Sequence, residues 1–376
     1  MANTLGVYDP IFYAQEALIW LQKSLGMAGR VHRGYDKNPQ QKGSVISISR
    51  PSTFTAADAP SNAQDLDTGT VNISLDYWRE VKFKLTDKEL TFTTEKIIND
   101  HIGPAAYTLA DDIDQKLTLL YKDIPWYVVN SSPCAVADLT GLQRTLFGNK
   151  VPQSQRHLML SGIQQEEFLN LSAFSQWQGA GASGEATQME GSLGMKYGFE
   201  IFANQNVQTH TAGVAADATG ALTANAAKGA TTIAFDGVTN NGTFKKGDSF
   251  VIAGNTQRYV FTADVAADGS GVVAAAPIFP ALVQAYADND VITINLVSGE
   301  QGIGFHRNAF ALGMAPLSEL GNQLGARIAT VVDPVTSLAL RSRLYYVGNS
   351  SEVHVALDVL YGIKTLDANL GARLVN

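Results

Sequence analysis

Behind Asp9 and Pro10, an acidic cap and a proline at the first helical position, Ile11, Ala14, Leu18, Leu21 and Leu25 recur at spacings of three and four. The pattern predicts an amphipathic helix that ends near Gly26. Its other face carries Phe12, Ile19 and Trp20, which either pack on their own domain or form a partner surface. Val45, Ile46 and Ile48 predict a strand within residues 43–51, followed by a polar loop to Thr70. Then Val71, Ile73, Leu75, Tyr77, Val81, Phe83 and Leu85 occupy alternate positions, interrupted only by Arg79, while Asn72, Ser74, Asp76, Glu80, Lys82 and Lys84 take the other side. This predicts a ribbon with one apolar face. At about 15 residues, roughly 50 Å if extended, it exceeds the usual strand length and is expected to bend or project.

Thr86 with Glu89 three residues on, followed by Thr94, Ile97 and Ile98, predicts helical character up to a break at Gly103-Pro104. Pro104 then opens a second helix in which Ala105, Leu109, Ile113, Leu117 and Leu120 share one face. Residues 135–146 predict another helix. A strand over 156–160 leads through Gly162 into a helix over 163–171, the order of an α/β core, and 176–192 reads as a surface loop. From Thr211 to Leu296 helical periodicity vanishes, and short apolar runs at 232–235, 250–252, 259–261 and 291–294 stand between turn formers. This is a small all-β module. Strand-like runs at 196–209 and 304–312 flank it, so it looks inserted into a host domain. Strands are expected again over 326–332, 338–346 and 352–363, with Gly348-Asn349 as a turn.

The 376 residues allow about two or three domains. Hydrophobic residues are 45% and charged residues 16%, which excludes disorder throughout. The net charge of -8 makes strong duplex binding a poor expectation, because phosphate neutralisation needs a basic field. A lone Cys134 excludes an internal disulfide framework. The first nine residues lack a secretory pattern and no apolar run spans a bilayer, so the product is expected in the cytoplasm when made.

Signals for chemistry are weak. Gly179, Gly181 and Gly184 have dinucleotide-fingerprint spacing, but Ser175, Gln176, Trp177 and Gln178 before them are too polar for a buried strand. The histidines at 32, 101, 157, 210, 306 and 354 are scattered, and no zinc pair, phosphate loop or nucleophile elbow appears. Asp111, Asp112 and Asp114 lack calcium-loop spacing and read as a solvated acidic face favoured by the dipole near a helix start. Asp264, Asp268 and Gly269 are expected to form a β-turn with Gly271. Cys134 opens a helical region, where either a lowered thiol pKa or simple burial fits. Asn72, Asn170, Asn241 and Asn349 are chance sequons. No catalytic, cofactor or metal residue is assigned.

The segment through Lys42 and Gly43, the strand leading to Arg50-Pro51, the helix around Pro104 to Asp114, the run Gly304-Phe305-His306-Arg307-Asn308-Ala309-Phe310-Ala311-Leu312 and the closing Val359, Leu360, Tyr361, Gly362 and Ile363 resemble the major capsid (coat) proteins of tailed bacteriophages of the P22-like group. The resemblance covers about three quarters of the chain. It implies an α+β, HK97-type capsid fold with a long spine helix, an extended β loop and an inserted small all-β domain. The implied division is an N-terminal arm and helix (1–42), extended loop and peripheral strands (43–85), spine-helix peripheral region (86–126), first part of the axial domain (127–210), inserted domain (211–297), and axial domain with returning strands (298–376). Lys245, Lys246, Gly247 and Asp248, followed by Phe250 and Gly254, resemble the turn-strand-turn signature of that insertion.

The implied role is assembly into an icosahedral shell around double-stranded DNA, with no enzymatic activity. Phe12, Ile19, Trp20, Val71, Ile73, Val81 and Phe83 are the apolar contact candidates, and Arg79, Glu80, Lys82 and Lys84 the candidates for ion pairs between subunits. Implied partners are further copies in hexamers and pentamers, a scaffolding protein, a portal, a decoration protein and weakly held DNA, without a membrane. The implied location is the virion, after assembly in the cytoplasm of a host bacterium. The rival reading is a secreted or surface-array β-rich protein, suggested by the glycine and alanine of the module.

Overall fold

The computed structural model describes residues 10–33, 45–49, 59, 70–86, 101–130, 132–176, 187–319, 326–333, 338–350 and 352–376. Lys42, Gly43, Arg50, Pro51, residues 87–98 of the expected helix and the glycines at 179, 181 and 184 lie outside them, while Thr86, expected to cap that helix, ends a strand. The chain divides into two compact units: Met1–Asp114 with Phe310–Leu366, and Gln115–Ala309 with Asp367–Asn376.

In the first unit, a 14-residue strand, Glu352–Thr365, organises a five-stranded sheet. Phe310–Met314, Ala339–Val347 and Tyr77–Thr86 all pair with it antiparallel, and Arg327–Val332 continues the sheet beyond Ala339–Val347. The helix Pro10–Ser24 buries Tyr13, Ala14, Ala17, Leu18 and Leu21, the apolar face that the three-and-four spacing predicted. It lies against the Arg327–Val332 and Ala339–Val347 strands.

The expected ribbon is two strands. Thr70–Ser74 pairs with Val45–Ser49, whereas Tyr77–Thr86 pairs with the long strand, and the chain steps between them at Leu75-Asp76. A two-residue step preserves the period of two, so alternation alone cannot reveal the break. Tyr77–Thr86 is thus bound into the sheet along its whole length instead of projecting as part of one ribbon. The second helix, Gly103–Thr118, buries Ala105, Ala106, Leu109, Ala110, Ile113 and Leu117.

In the second unit, a seven-stranded mixed sheet runs in the order Tyr127–Val129, Gly371–Val375, Gly299–His306, Arg156–Leu160, Phe199–Ala203, Gly194–Lys196, with Thr209–His210 also on Gly299–His306. Helices Val136–Gly148 and Gly162–Leu169 contribute Leu139, Leu142, Leu146 and Phe168 to a core with Leu158, Leu160, Phe199 and Leu374 of the sheet. Ser161 caps the latter helix, its hydroxyl accepting from Gln164 N while the Gln164 side chain accepts from Ser161 N.

The all-β module is a closed, antiparallel six-stranded barrel: Thr232–Asp236, Val273–Phe279, Arg258–Phe261, Ser249–Ile252, Val291–Asn295, Thr219–Leu222, and back to the first. Closure removes the sheet edges that so small a module would otherwise expose. Its core is aromatic, with Phe250 and Phe261 stacked at 4.8 Å and Phe235 and Phe244 packed against Phe261. The strand-like run at 304–312 is not one strand. Gly299–His306 belongs to the second unit and Phe310–Met314 to the first, with a turn at Arg307–Ala309 in which Asn308 N donates to His306 Nδ1. That local bond competes with ladder pairing.

Candidate functional site

The Tyr77–Thr86 strand carries the four charged assembly candidates, Arg79, Glu80, Lys82 and Lys84, and alternation sends neighbours to opposite faces of the sheet. On one face, Arg79 Nε lies 3.1 Å from Asp112 Oδ2, and the Tyr361 hydroxyl donates to the same oxygen at 2.6 Å. Tyr77 stacks on Tyr361 with centroids 5.2 Å apart. Burial, reinforced by the bond to Asp112, raises the Tyr361 hydroxyl well above the usual tyrosine range.

On the other face, the Asp358 carboxylate is fully buried and receives Arg341, Arg343 and the Trp78 indole N–H, the last at 3.0 Å. Glu80 joins this group through Arg343 at 2.8 Å. Lys84 pairs with Glu352 at 2.7 Å, and Lys82 sits 5.0 Å from the centre of the Tyr345 ring. Arg79, Glu80, Lys82 and Lys84 therefore all have partners inside their own chain. Those partners, Asp112, Arg343, Glu352 and Tyr345, lie more than 30 residues away in the sequence and give no local signal.

The acidic cluster resolves into separate jobs. Asp111 to Asp114 lie in the middle of the helix, so the dipole of its start is not their reason. Asp111 is exposed, Asp112 holds Arg79 and Tyr361, and Asp114 is buried. Asp114 accepts from the backbone N–H groups of Gly26 (2.6 Å) and Ala28 (2.9 Å), fixing the turn after the first helix. Desolvation raises its pKa against the opposing effect of these bonds.

The apolar candidates fall into two groups. Ile73 is fully buried, in a cluster with Ile46, Leu75, Ala311 and Leu360. Phe12, Val71, Val81 and Phe83 are half-buried. On the first helix Ile19 and Trp20 are exposed at 44% and 39%, and Ile11, two turns earlier, at 48%. The Trp20 ring reaches Gly103, where an added Cβ would lie 3.5 Å from Cε2.

In the second unit, Lys245 N donates to Asp248 Oδ2, Lys246 N and Lys245 Nζ both reach Asp264, and Gly247 adopts φ +101°. Phe250 is fully buried in the barrel core and Gly254 makes a turn at φ +88°. Asp268 Oδ1 accepts from Ser270 N and Val272 N, and Gly271 N donates to Asp268 O, closing the expected turn around Gly269, whereas Asp264 stands apart from it on Lys245 and Lys246. Cys134 is buried, and desolvation with a Glu167 contact pushes its thiol up to about 12, opposite to an activated thiolate. Sequence reasoning missed the contacts of His210 with Tyr121 on one side and Asp248 on the other, because three residues so far apart give no local signal. Among the described residues, no three His, Cys, Asp or Glu gather to hold a metal, and no helix is long and apolar enough to cross a membrane.

No family model matches the chain, and no curated protein does. Among solved structures, a chain from Mycobacterium phage Che8 aligns with a TM-score of 0.50 at 13% identity, covering 93% of this chain and 90% of that one. Chains from the capsid structure of cyanophage P-SCSP1u and from the mature capsid of bacteriophage PhiM1 each align at 0.47, with 10% and 11% identity, covering 92% of this chain and 86% of theirs. The likeness to the Che8 chain shows that the α+β fold is shared.

Proposed function

We propose that this chain is the major capsid protein of a tailed bacteriophage, with the HK97-type fold, and that copies of it close an icosahedral shell around double-stranded DNA. The observation that carries the reading is the fold held in common with the Mycobacterium phage Che8 chain over nearly the whole length of both. The ordered sequence resemblance to P22-like coat proteins supports it independently. Within the fold, the Gly103–Thr118 helix takes the place of the spine, and the barrel between 219 and 295 is the inserted domain.

Contacts between subunits draw on Ile11, Ile19 and Trp20 and on the half-buried Phe12, Val71, Val81 and Phe83, with Arg79, Glu80, Lys82 and Lys84, though paired within the chain, as the candidates for ion pairs with neighbouring subunits. Each such contact is modest. A subunit engages several neighbours at once, and effective concentration turns weak contacts into a stable shell. The role is structural and not enzymatic. A scaffolding protein and a portal are the expected assembly partners, a decoration protein binds outside, and the net charge of -8 leaves packaged DNA weakly held. Assembly takes place in the host bacterial cytoplasm.

Sedimentation velocity and light scattering across a concentration series, with and without a candidate scaffolding protein, test the reading. Material sedimenting as megadalton particles is expected. A secreted or surface-array protein would instead give flat sheets or cell-surface attachment.

A further inference from the structure

We propose that Tyr121, His210 and Asp248 form a buried latch that fixes the inserted barrel to its host sheet, and that opening it frees the barrel without unfolding either part. The three residues come from three places: the turn Leu119–Asp123, the last residue of the strand Thr209–His210 before the insertion, and the barrel turn at 245–248. Their exposures are 2%, 4% and 1%. Tyr121 Oη lies 3.0 Å from His210 Nδ1, and His210 Nε2 lies 2.9 Å from Asp248 Oδ1.

One tautomer satisfies every atom. Asp248 Oδ2 already accepts from Gly213 N at 2.9 Å and Lys245 N at 2.7 Å, the pattern of an ionised carboxylate. The other oxygen takes the proton on His210 Nε2, which leaves Nδ1 to accept from the Tyr121 hydroxyl. Burial pushes that hydroxyl up to about 12, so it remains a donor. The cations around the group are Arg373, whose Nη1 donates to Gly247 O at 3.1 Å, and Lys122, with Nζ 5.9 Å from the Tyr121 ring centre. Gly247 is the residue that lets the turn approach: an added Cβ would meet Lys122 Cγ at 3.2 Å and His210 Cε1 at 3.3 Å.

Without the latch, the barrel hangs on a narrow neck. The chain enters and leaves side by side, His210 opposite Gly299, with Ala212 N bonded to Ser298 Oγ at 3.0 Å. The barrel core and the host core share no residue, so each can persist while the neck turns. Outside the latch, Arg258 stacks 4.5 Å from the Tyr127 ring and Gln257 bonds Asn369, contacts at the margin that leave the buried polar group as the fixed point. This inference does not depend on the shell reading.

Amide hydrogen exchange on the unassembled full-length protein tests it, comparing wild type with His210→Leu and the milder Tyr121→Phe. The expected result is exchange at least tenfold faster at Gly213 and Lys245 in His210→Leu and a smaller rise in Tyr121→Phe, with Ile278, Ile294 and Asn204 unchanged within twofold. If His210→Leu fails to fold, Tyr121→Phe is read by the same criterion. Unchanged junction amides would overturn the latch, as would an equal loss of protection at Ile278 and Ile294, which would make the group part of barrel stability alone. Nitrogen NMR of His210 gives a separate readout: the proton is expected on Nε2, and finding it on Nδ1 alone would contradict the geometry.

Discussion

Arg341 and Asp358 face each other across adjacent strands, with Nε 3.0 Å from Oδ1 and Nη2 2.5 Å from Oδ2, and the carboxylate is wholly withdrawn from solvent. A two-bond pair of this kind aligns both groups, but its desolvation cost means that either partner left alone is strongly unfavourable. Asp358→Ala strands Arg341 and also removes the acceptor for Trp78 and Arg343. We expect a loss of about 3 to 5 kcal/mol, measured by chemical denaturation of the unassembled protein. Replacing Arg341 and Asp358 together by apolar residues of similar volume should recover much of it.

Gly362 tests how closely the two layers of the first unit approach. A Cβ there would fall 2.2 Å from Ser74 O, a backbone atom that cannot move aside cheaply, whereas at Gly348 it would meet nothing within 4 Å. Gly362→Ala should cost about 3 kcal/mol or prevent folding, and Gly348→Ala should change stability by less than about 0.5 kcal/mol. Equal effects at both positions in thermal melts would rule out this packing.

His306 makes stability depend on pH. Desolvation, with Arg156 and His157 nearby, lowers its pKa below the ordinary 6.5. The unfolded imidazole takes up a proton at a higher pH than the folded one, so the contribution is complete above about 6.5 and is lost as pH falls through the window below it. His306→Gln should flatten the stability profile on that acid side, and a slope identical to wild type between pH 7 and 5 would contradict the shift.

Asp114 has the opposite sign. Its pKa is raised by burial, so the folded state holds the proton more tightly than the unfolded chain does. Its contribution is therefore complete below the ordinary carboxylate range near 4 and declines as pH rises through the raised value. The stability difference between wild type and Asp114→Asn should shrink as pH climbs from about 3.5, and a difference that grows would show the reverse linkage.

Much of this architecture is readable in residue pattern. The first helix, the strands at 232–236, 249–252 and 291–295, and the long 352–365 strand follow from periodicity, because burial of one face leaves a local trace in sequence. Other features leave none. Leu75 and Asp76 break a ribbon whose alternation runs on in phase, and Val273–Phe279 hides its strand in alanine and proline. The pairing Arg79–Asp112 is set by how the helix lies on the sheet and Glu80–Arg343 by the order of strands within it, so neither leaves a local signal. In the sequence His210 is one scattered histidine, since Tyr121 and Asp248 lie 89 and 38 residues away.

The exposed side of the first helix gives a direct probe of assembly. Ile19 remains exposed in the single chain at the centre of the helix's outer face, so Ile19→Asp should leave the fold intact while lowering particle yield at least tenfold. Circular dichroism checks the fold and gradient sedimentation the yield. Normal yield would move the subunit contacts elsewhere on the surface.

Cryo-electron microscopy of the purified protein, alone and after incubation with its scaffolding protein, bears most directly on the claim that copies of this chain build a closed shell. Icosahedral particles in which every subunit carries this fold are the expected result. A protein that stays strictly monomeric at high concentration and is inert to the scaffolding protein would contradict it.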